Sequence, residues 1–172
     1  MYDYFTEYLV KRRKNIVDFL IMFLAAFAGV FITLFLFLSG LLFVQLIGQV
    51  LTIGVVALWW GVYFLITSRS LEFEYIVTNG ELDVDKVIGK RKRKRLISVK
   101  AKEIELITAE ENYRGNADVV IDASSQNGVS KNFVLITAKD GKRTKIIFNP
   151  NEKMLKIFKV FCQRKVEWSE GE

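Results

Sequence analysis

The chain contains no histidine and a single cysteine among its 172 residues, and each shortage excludes a chemistry. Without histidine it lacks the commonest general base and metal ligand. With one cysteine, Cys162, no disulfide forms within the chain, and its place on the apolar stripe of a helix marks it as a packing thiol rather than a nucleophile. Glycine-rich phosphate loops of the P-loop or dinucleotide type do not occur. Glu81, Asp83 and Asp85 alternate along one stretch with no further ligand spacing, so they read as a solvated strand face and not as a cation site. The expectation is a protein that is not an enzyme, with no cofactor and no metal.

Charge is missing from one long block. Between Ile16 and Ile66 the only charged side chain in fifty-one residues is Asp18. Such a block is apolar on all sides and long enough to cross a bilayer twice. It divides at Ser39-Gly40 into a first span of about 16–38 and a second of about 41–66, within a membrane region of 16–68. Lys11, Arg12, Arg13 and Lys14 precede the first span and Arg69 with a basic run follows the second, so the membrane-proximal charge keeps both termini in the cytoplasm of a multi-pass cell-membrane protein. Trp59, Trp60 and Tyr63 fit an aromatic belt. Ala26-Phe27-Ala28 has the small-x-small form of a signal cleavage site, but Gly29-Val30-Phe31-Ile32 continues the apolar run and argues against processing. Gln45 and Gln49 lie on one face of the second span, where amides serve helix packing in the membrane. Ionisable groups, broken helices and repeats that would mark a transport path are not visible.

The N-terminal segment, residues 1–15, places Tyr4, Phe5, Tyr8 and Leu9 at helical spacing, which suits either an interfacial amphipathic helix or a short polar lead-in. Residues 69–172 are enough for one small domain. Leu71 to Thr78 alternates, Asn79-Gly80 turns, and Glu81 to Ile88 alternates again, a strong hairpin signal. Leu82 and Val84 face inward, and Asp83 and Asp85 point to solvent. After Gly89 come six consecutive cations, Lys90, Arg91, Lys92, Arg93, Lys94 and Arg95, in a projecting hairpin that runs into Leu96-Ile97-Ser98-Val99. Further strands are expected at Ile104–Thr108, Val119–Ile121, Phe133–Thr137 and Thr144–Phe148, with a turn at Asp140-Gly141 between the last two. Asn149-Pro150-Asn151-Glu152 then opens an amphipathic helix over about 150–164.

Seven short antiparallel strands capped by one C-terminal helix give an α+β domain beside a membrane α-helical hairpin. Tyr4 to Arg12, Glu74 to Lys86 and Phe148 to Met154 resemble an uncharacterised bacterial two-span membrane protein family whose soluble part is a bacterial PH-like domain. The resemblance implies a PH-like seven-stranded antiparallel barrel or sandwich, plugged by its helix. In eukaryotic relatives the phosphoinositide site draws on the first hairpin loop. Here that loop reads as Asn79-Gly80 with acids behind it, and the basic run sits one hairpin later.

Residues 69–172 carry 21 Lys and Arg against 16 Asp and Glu, a net +5. Tethered beneath a bilayer, Lys90–Arg95 form a candidate lipid-binding site on an anionic leaflet, where each nearby cation is worth about 1 kcal/mol. The same charges also suit the plainer roles of enforcing topology and protecting a strand edge. The leading reading is a membrane-anchored binding or scaffold module that recruits a protein or peptide while docking on lipid. A self-assembling homo-oligomer is the alternative. Nucleic acid is a poorer partner, since no aromatics interleave the cations between residues 89 and 100.

Overall fold

The computed structural model describes residues 4–126, 130–139 and 141–168, apart from the side chains of residues 39–49 and 139. The chain divides into two compact units, Lys14–Ser70 and the combination of Met1–Arg13 with Leu71–Glu172.

The first unit is helical. Within the helical stretch Ile16–Ser68 (α1), the arms Ile16–Leu38 and Val50–Ser68 are each long and apolar enough to cross a membrane. They lie antiparallel against each other. Trp59 Nε1 donates to Thr33 Oγ1 at 3.1 Å, although 26 residues on one straight helix would separate them by about 39 Å. A Cβ on Gly29 would stand 3.4 Å from Val62, so the arms also approach closely there. Asn15 caps the first arm, and its N–H is met by Asp18 Oδ2 at 3.1 Å. Asp18, the one charge in the apolar block, is thus the third residue of a capping box, and it also faces Arg69 at 3.9 Å. The expected division at Ser39-Gly40 and the amides Gln45 and Gln49 lie outside the described side chains.

The second unit has nine strands among the described residues. Four form one sheet in the order β1-β2-β3-β4: Phe5–Lys11 (β1), Leu71–Thr78 (β2), Glu81–Ile88 (β3) and Lys92–Lys100 (β4). The other five are Ile104–Ala109 (β5), Val119–Asp122 (β6), Phe133–Lys139 (β7), Lys142–Phe148 (β8) and Val166–Glu167 (β9), ordered β6-β8-β7-β5-β9. The expected count of seven missed β1 and β9, and β6 with β8 and β5 with β9 pair in parallel, not antiparallel.

Phe5–Lys11 of the N-terminal segment is not helical. It is an edge strand whose Lys11 pairs with Glu72 and whose Phe5 pairs with Thr78, some sixty to seventy residues further along the chain. The helical unit is therefore inserted between two hydrogen-bonded neighbours of one sheet. Cleavage after Ala28 would strip β1 from that sheet.

The core lies between the sheets. Phe73, Tyr75 and Val77 of β2 with Leu82 and Val84 of β3 meet Leu135, Ile146 and Phe148 of the second sheet. Tyr75 is fully buried and its hydroxyl donates to the Ala123 carbonyl at 2.6 Å, while the Asn149 N–H reaches it at 3.3 Å. Burial holds that phenol well above the usual tyrosine range. The C-terminal helix Glu152–Phe161 (α2) buries Met154, Leu155, Ile157 and Phe158. Its cap is Asn151, which accepts from Met154 N at 2.9 Å, so the helix starts later than 150. Asn149 instead receives the Ser125 N–H at 2.7 Å and donates to the Lys131 carbonyl at 3.0 Å. Cys162 is buried, with its thiol pushed up by desolvation. Trp168 folds back against the core, with the Lys159 ammonium 4.8 Å from its ring centre.

Candidate functional site

The basic run is built by two local devices. At its start, Gly89 and Lys90 both adopt left-handed backbone (φ 58° and 57°), and Arg91 N–H closes the turn on the Ile88 carbonyl at 3.1 Å. Two successive positive φ values define a type I′ turn, whose twist suits a tight hairpin. Further along, the register slips at Val84/Asp85: Val84 faces Ile97 while Asp85 faces Arg95, leaving Leu96 as the extra residue of a bulge. The bulge changes the phase of β4. Ile97 and Val99 continue the core side, whereas Arg95 and Arg93 turn to the outer face.

That outer face carries carboxylates. Arg93 Nη2 donates to Glu74 Oε1 at 2.9 Å and lies 2.6 Å from Oε2. Arg95 Nε donates to Asp85 Oδ1 at 2.8 Å, and its Nη1 lies 2.9 Å from Asp83 Oδ2. Glu74 is 2% exposed and Asp85 3%. The expectation of a simply solvated acidic face is therefore corrected: Asp83 and Asp85 are ion-paired, and Asp85 is buried. Burial raises the Glu74 carboxyl above the usual range, a hydrogen bond shared with Glu7 adds to this, and the Arg93 charge opposes it. Its Oε2 contact with Arg93 is ionic, because no hydrogen bond of acceptable geometry reaches that oxygen.

The lysines of the run take the opposite face. Lys94 stands directly across from Lys86, and Lys92 across from Ile88, continuing the core-facing rows beyond the packed core. There the two sheets part around a cleft of about 360 Å³, lined by Arg12, Phe73, Lys86 and Leu96 on one side and by Val120, Ile121, Asp122 and Gln126 on the other. Arg12 Nε donates to Gln126 Oε1 at 3.1 Å. Burial tends to raise Asp122, but hydrogen bonds from the Ser124 hydroxyl and N–H and from Gln126, with the charge of Arg12, hold it below the usual carboxylate range. Val120 at the rim is 59% exposed.

The four membrane-proximal cations separate as well. Lys11 lies on the outer face opposite Glu72. Arg12 and Arg13 are held by backbone bonds, Arg12 N to the Leu71 carbonyl at 3.0 Å and Arg13 N to the Ser125 carbonyl at 2.7 Å. Lys14 Nζ contacts Met22 Sδ at 3.7 Å. Arg12 was anticipated only as membrane-proximal charge, and Lys86 and Glu74 were not anticipated as site residues. The acids at Glu72 and Glu74, alternating with Phe73 and Tyr75, were the available signal for the arginine partners. The link between β1 and β2 is the whole helical unit, so Asn79-Gly80 is the second connection of the sheet and the basic turn the third. The pairing of Leu71 with Ile88 and of Ile88 with Lys92 puts this basic turn at the same sheet end as the chain's exit and return.

Among the described residues no group of three or more Cys, Asp or Glu side chains is arranged to hold a metal. Two sheets closed by a C-terminal helix, with a charged, cleft-bearing end, define a PH-like domain, here interrupted by an apolar helical hairpin. Residues 2–167 match the family described as Bacterial PH-like domain (DUF6106), and the chain belongs to this family, which is uncharacterised. No curated protein and no solved structure matches it.

Proposed function

We propose that the chain is a membrane-anchored, non-catalytic binding module, with both termini cytoplasmic, that docks on an anionic leaflet and recruits a protein or peptide partner there. The observation that carries this reading is the insertion of the helical unit between β1 and β2. A domain fastened through two adjacent strands stays close to the bilayer, so weak lipid and partner contacts suffice at high effective concentration. The PH-like fold supports a binding role.

The test uses the full chain in mild detergent as bait, beside a chain ending at Ser70. A partner recovered by the former and lost with the latter is expected; equal recovery by both would overturn the recruiting role. Orientation is read by an impermeant thiol reagent on Lys90→Cys, which should react only from the cytoplasmic side.

Self-assembly has one observation in its favour. β1 is an edge strand with Phe5 53% and Leu9 45% exposed. A second β1 laid antiparallel about Leu9 would set each Glu7 opposite a Lys11. A monomeric mass in native detergent at all concentrations would remove this reading.

A further inference from the structure

We infer that the basic run is divided by function between its two faces: the lysine face, Lys86, Lys92 and Lys94 with Arg12, binds the phosphate of an anionic phospholipid, while Arg93 and Arg95 hold the sheet together. This rests on the membrane-docking reading and names the residues and ligand class within it.

The first argument is pairing. Both arginines are matched by carboxylates, Glu74 for Arg93 and Asp85 with Asp83 for Arg95. Among the described residues no ion pair joins Lys86, Lys92 or Lys94 to a carboxylate. The second argument is repulsion. Lys86 and Lys94 are directly opposed on neighbouring strands, and like charges so placed destabilise a sheet. An anion between them removes that cost. The third is the cleft, in which Arg12 and Lys86 stand beside apolar Phe73, Leu96 and Val120. Asp122 is the opposing charge there, but its oxygens are taken up by Ser124 and Gln126. Two cations and an apolar wall match a phosphodiester joined to a glyceride better than a free anion.

A lipid is the chosen source because of where the chain goes next. Arg12 stands four residues before Ile16, the first residue of the apolar arms. In a spanning protein it is therefore held at headgroup depth, where lipid phosphate is concentrated.

The experiment takes the full chain in neutral detergent and measures retained lipid by native mass spectrometry, with phosphatidylglycerol against phosphatidylcholine, and inorganic phosphate titrated separately. Lys86→Gln/Lys92→Gln/Lys94→Gln is compared with Arg93→Gln/Arg95→Gln, each checked for native circular dichroism. The wild type should prefer phosphatidylglycerol, and the lysine variant should lose about fivefold of that preference per charge. The arginine variant should keep the preference and melt at a lower temperature. If the wild type shows no preference, the docking reading itself fails. If it shows one that the lysine variant retains in full, or that the arginine variant loses while folded, docking stands and this division of labour falls. Inorganic phosphate competing at the lipid's own affinity would overturn the lipid assignment in favour of a soluble phosphate site.

Discussion

The two units of the chain treat the same residue type in opposite ways. Phe148 of β8 is 0% exposed, whereas Phe31 of the first helical arm is 65% exposed. The PH-like unit buries Phe73, Tyr75, Phe133, Phe148 and Phe158 in its core, whereas the described phenylalanines of the arms are exposed. A row of exposed phenylalanines is stable where the surroundings are themselves apolar, which is what arms long and apolar enough to cross a membrane would meet there. Removing a side chain from each unit sharpens the point most. Phe148→Ala should cost about 3–5 kcal/mol of the domain's stability, since it opens a cavity against Tyr75. Phe31→Ala should change the stability measured by denaturant in detergent by about 0.5 kcal/mol or less. Equal losses would mean that the arms are packed inside protein.

Glycine gives the second, smaller contrast. Gly80 has φ +83°, and a Cβ there would come within 2.7 Å of Phe161. Gly80→Ala should therefore cost about 1–2 kcal/mol for the left-handed backbone alone, with a further loss as Phe161 is pushed off Tyr4. In the second arm, a Cβ on Gly61 would meet nothing within 4 Å, so Gly61→Ala should leave thermal stability unchanged or slightly raised. A destabilising Gly61→Ala would reveal a packing partner for that arm.

What could be read from sequence follows from how local each signal is. The Asn79-Gly80 turn, the alternation on either side of it and the amphipathic α2 are each specified within a dozen residues, and all are present. β1 was illegible because its partner lies beyond the whole apolar block, and because an edge strand with Phe5, Tyr8 and Leu9 all exposed does not alternate cleanly. The basic run was visible as charge but not as two faces. That division depends on one bulged residue, Leu96, and on carboxylates supplied by two other strands. The parallel pairing of β6 with β8 and of β9 with β5 leaves no turn signature to find.

Charge makes the last and smallest contrast. The acid of the arms, Asp18, is spent on a helix cap and an ion pair at the foot of the hairpin. The deepest acid of the domain, Glu74, lies in the middle of a sheet, with burial and Glu7 raising its pKa against the pull of Arg93. A carboxyl with a raised folded pKa binds its proton more tightly in the folded chain than in the unfolded one. Its contribution therefore falls as pH rises above the ordinary value of 4.5, and the penalty is relieved on acidification toward that value. Asp122, with its lowered pKa, acts in the opposite sense, but its contribution is lost only as pH falls below its ordinary 3.8. Between pH 7 and 5 the melting temperature of the wild type should thus rise relative to Glu74→Gln, which has no proton to gain at that site. Parallel pH profiles of the two proteins by thermal unfolding in detergent would show that the sheet accommodates the Glu74 charge without cost, and that Arg93 offsets both burial and Glu7.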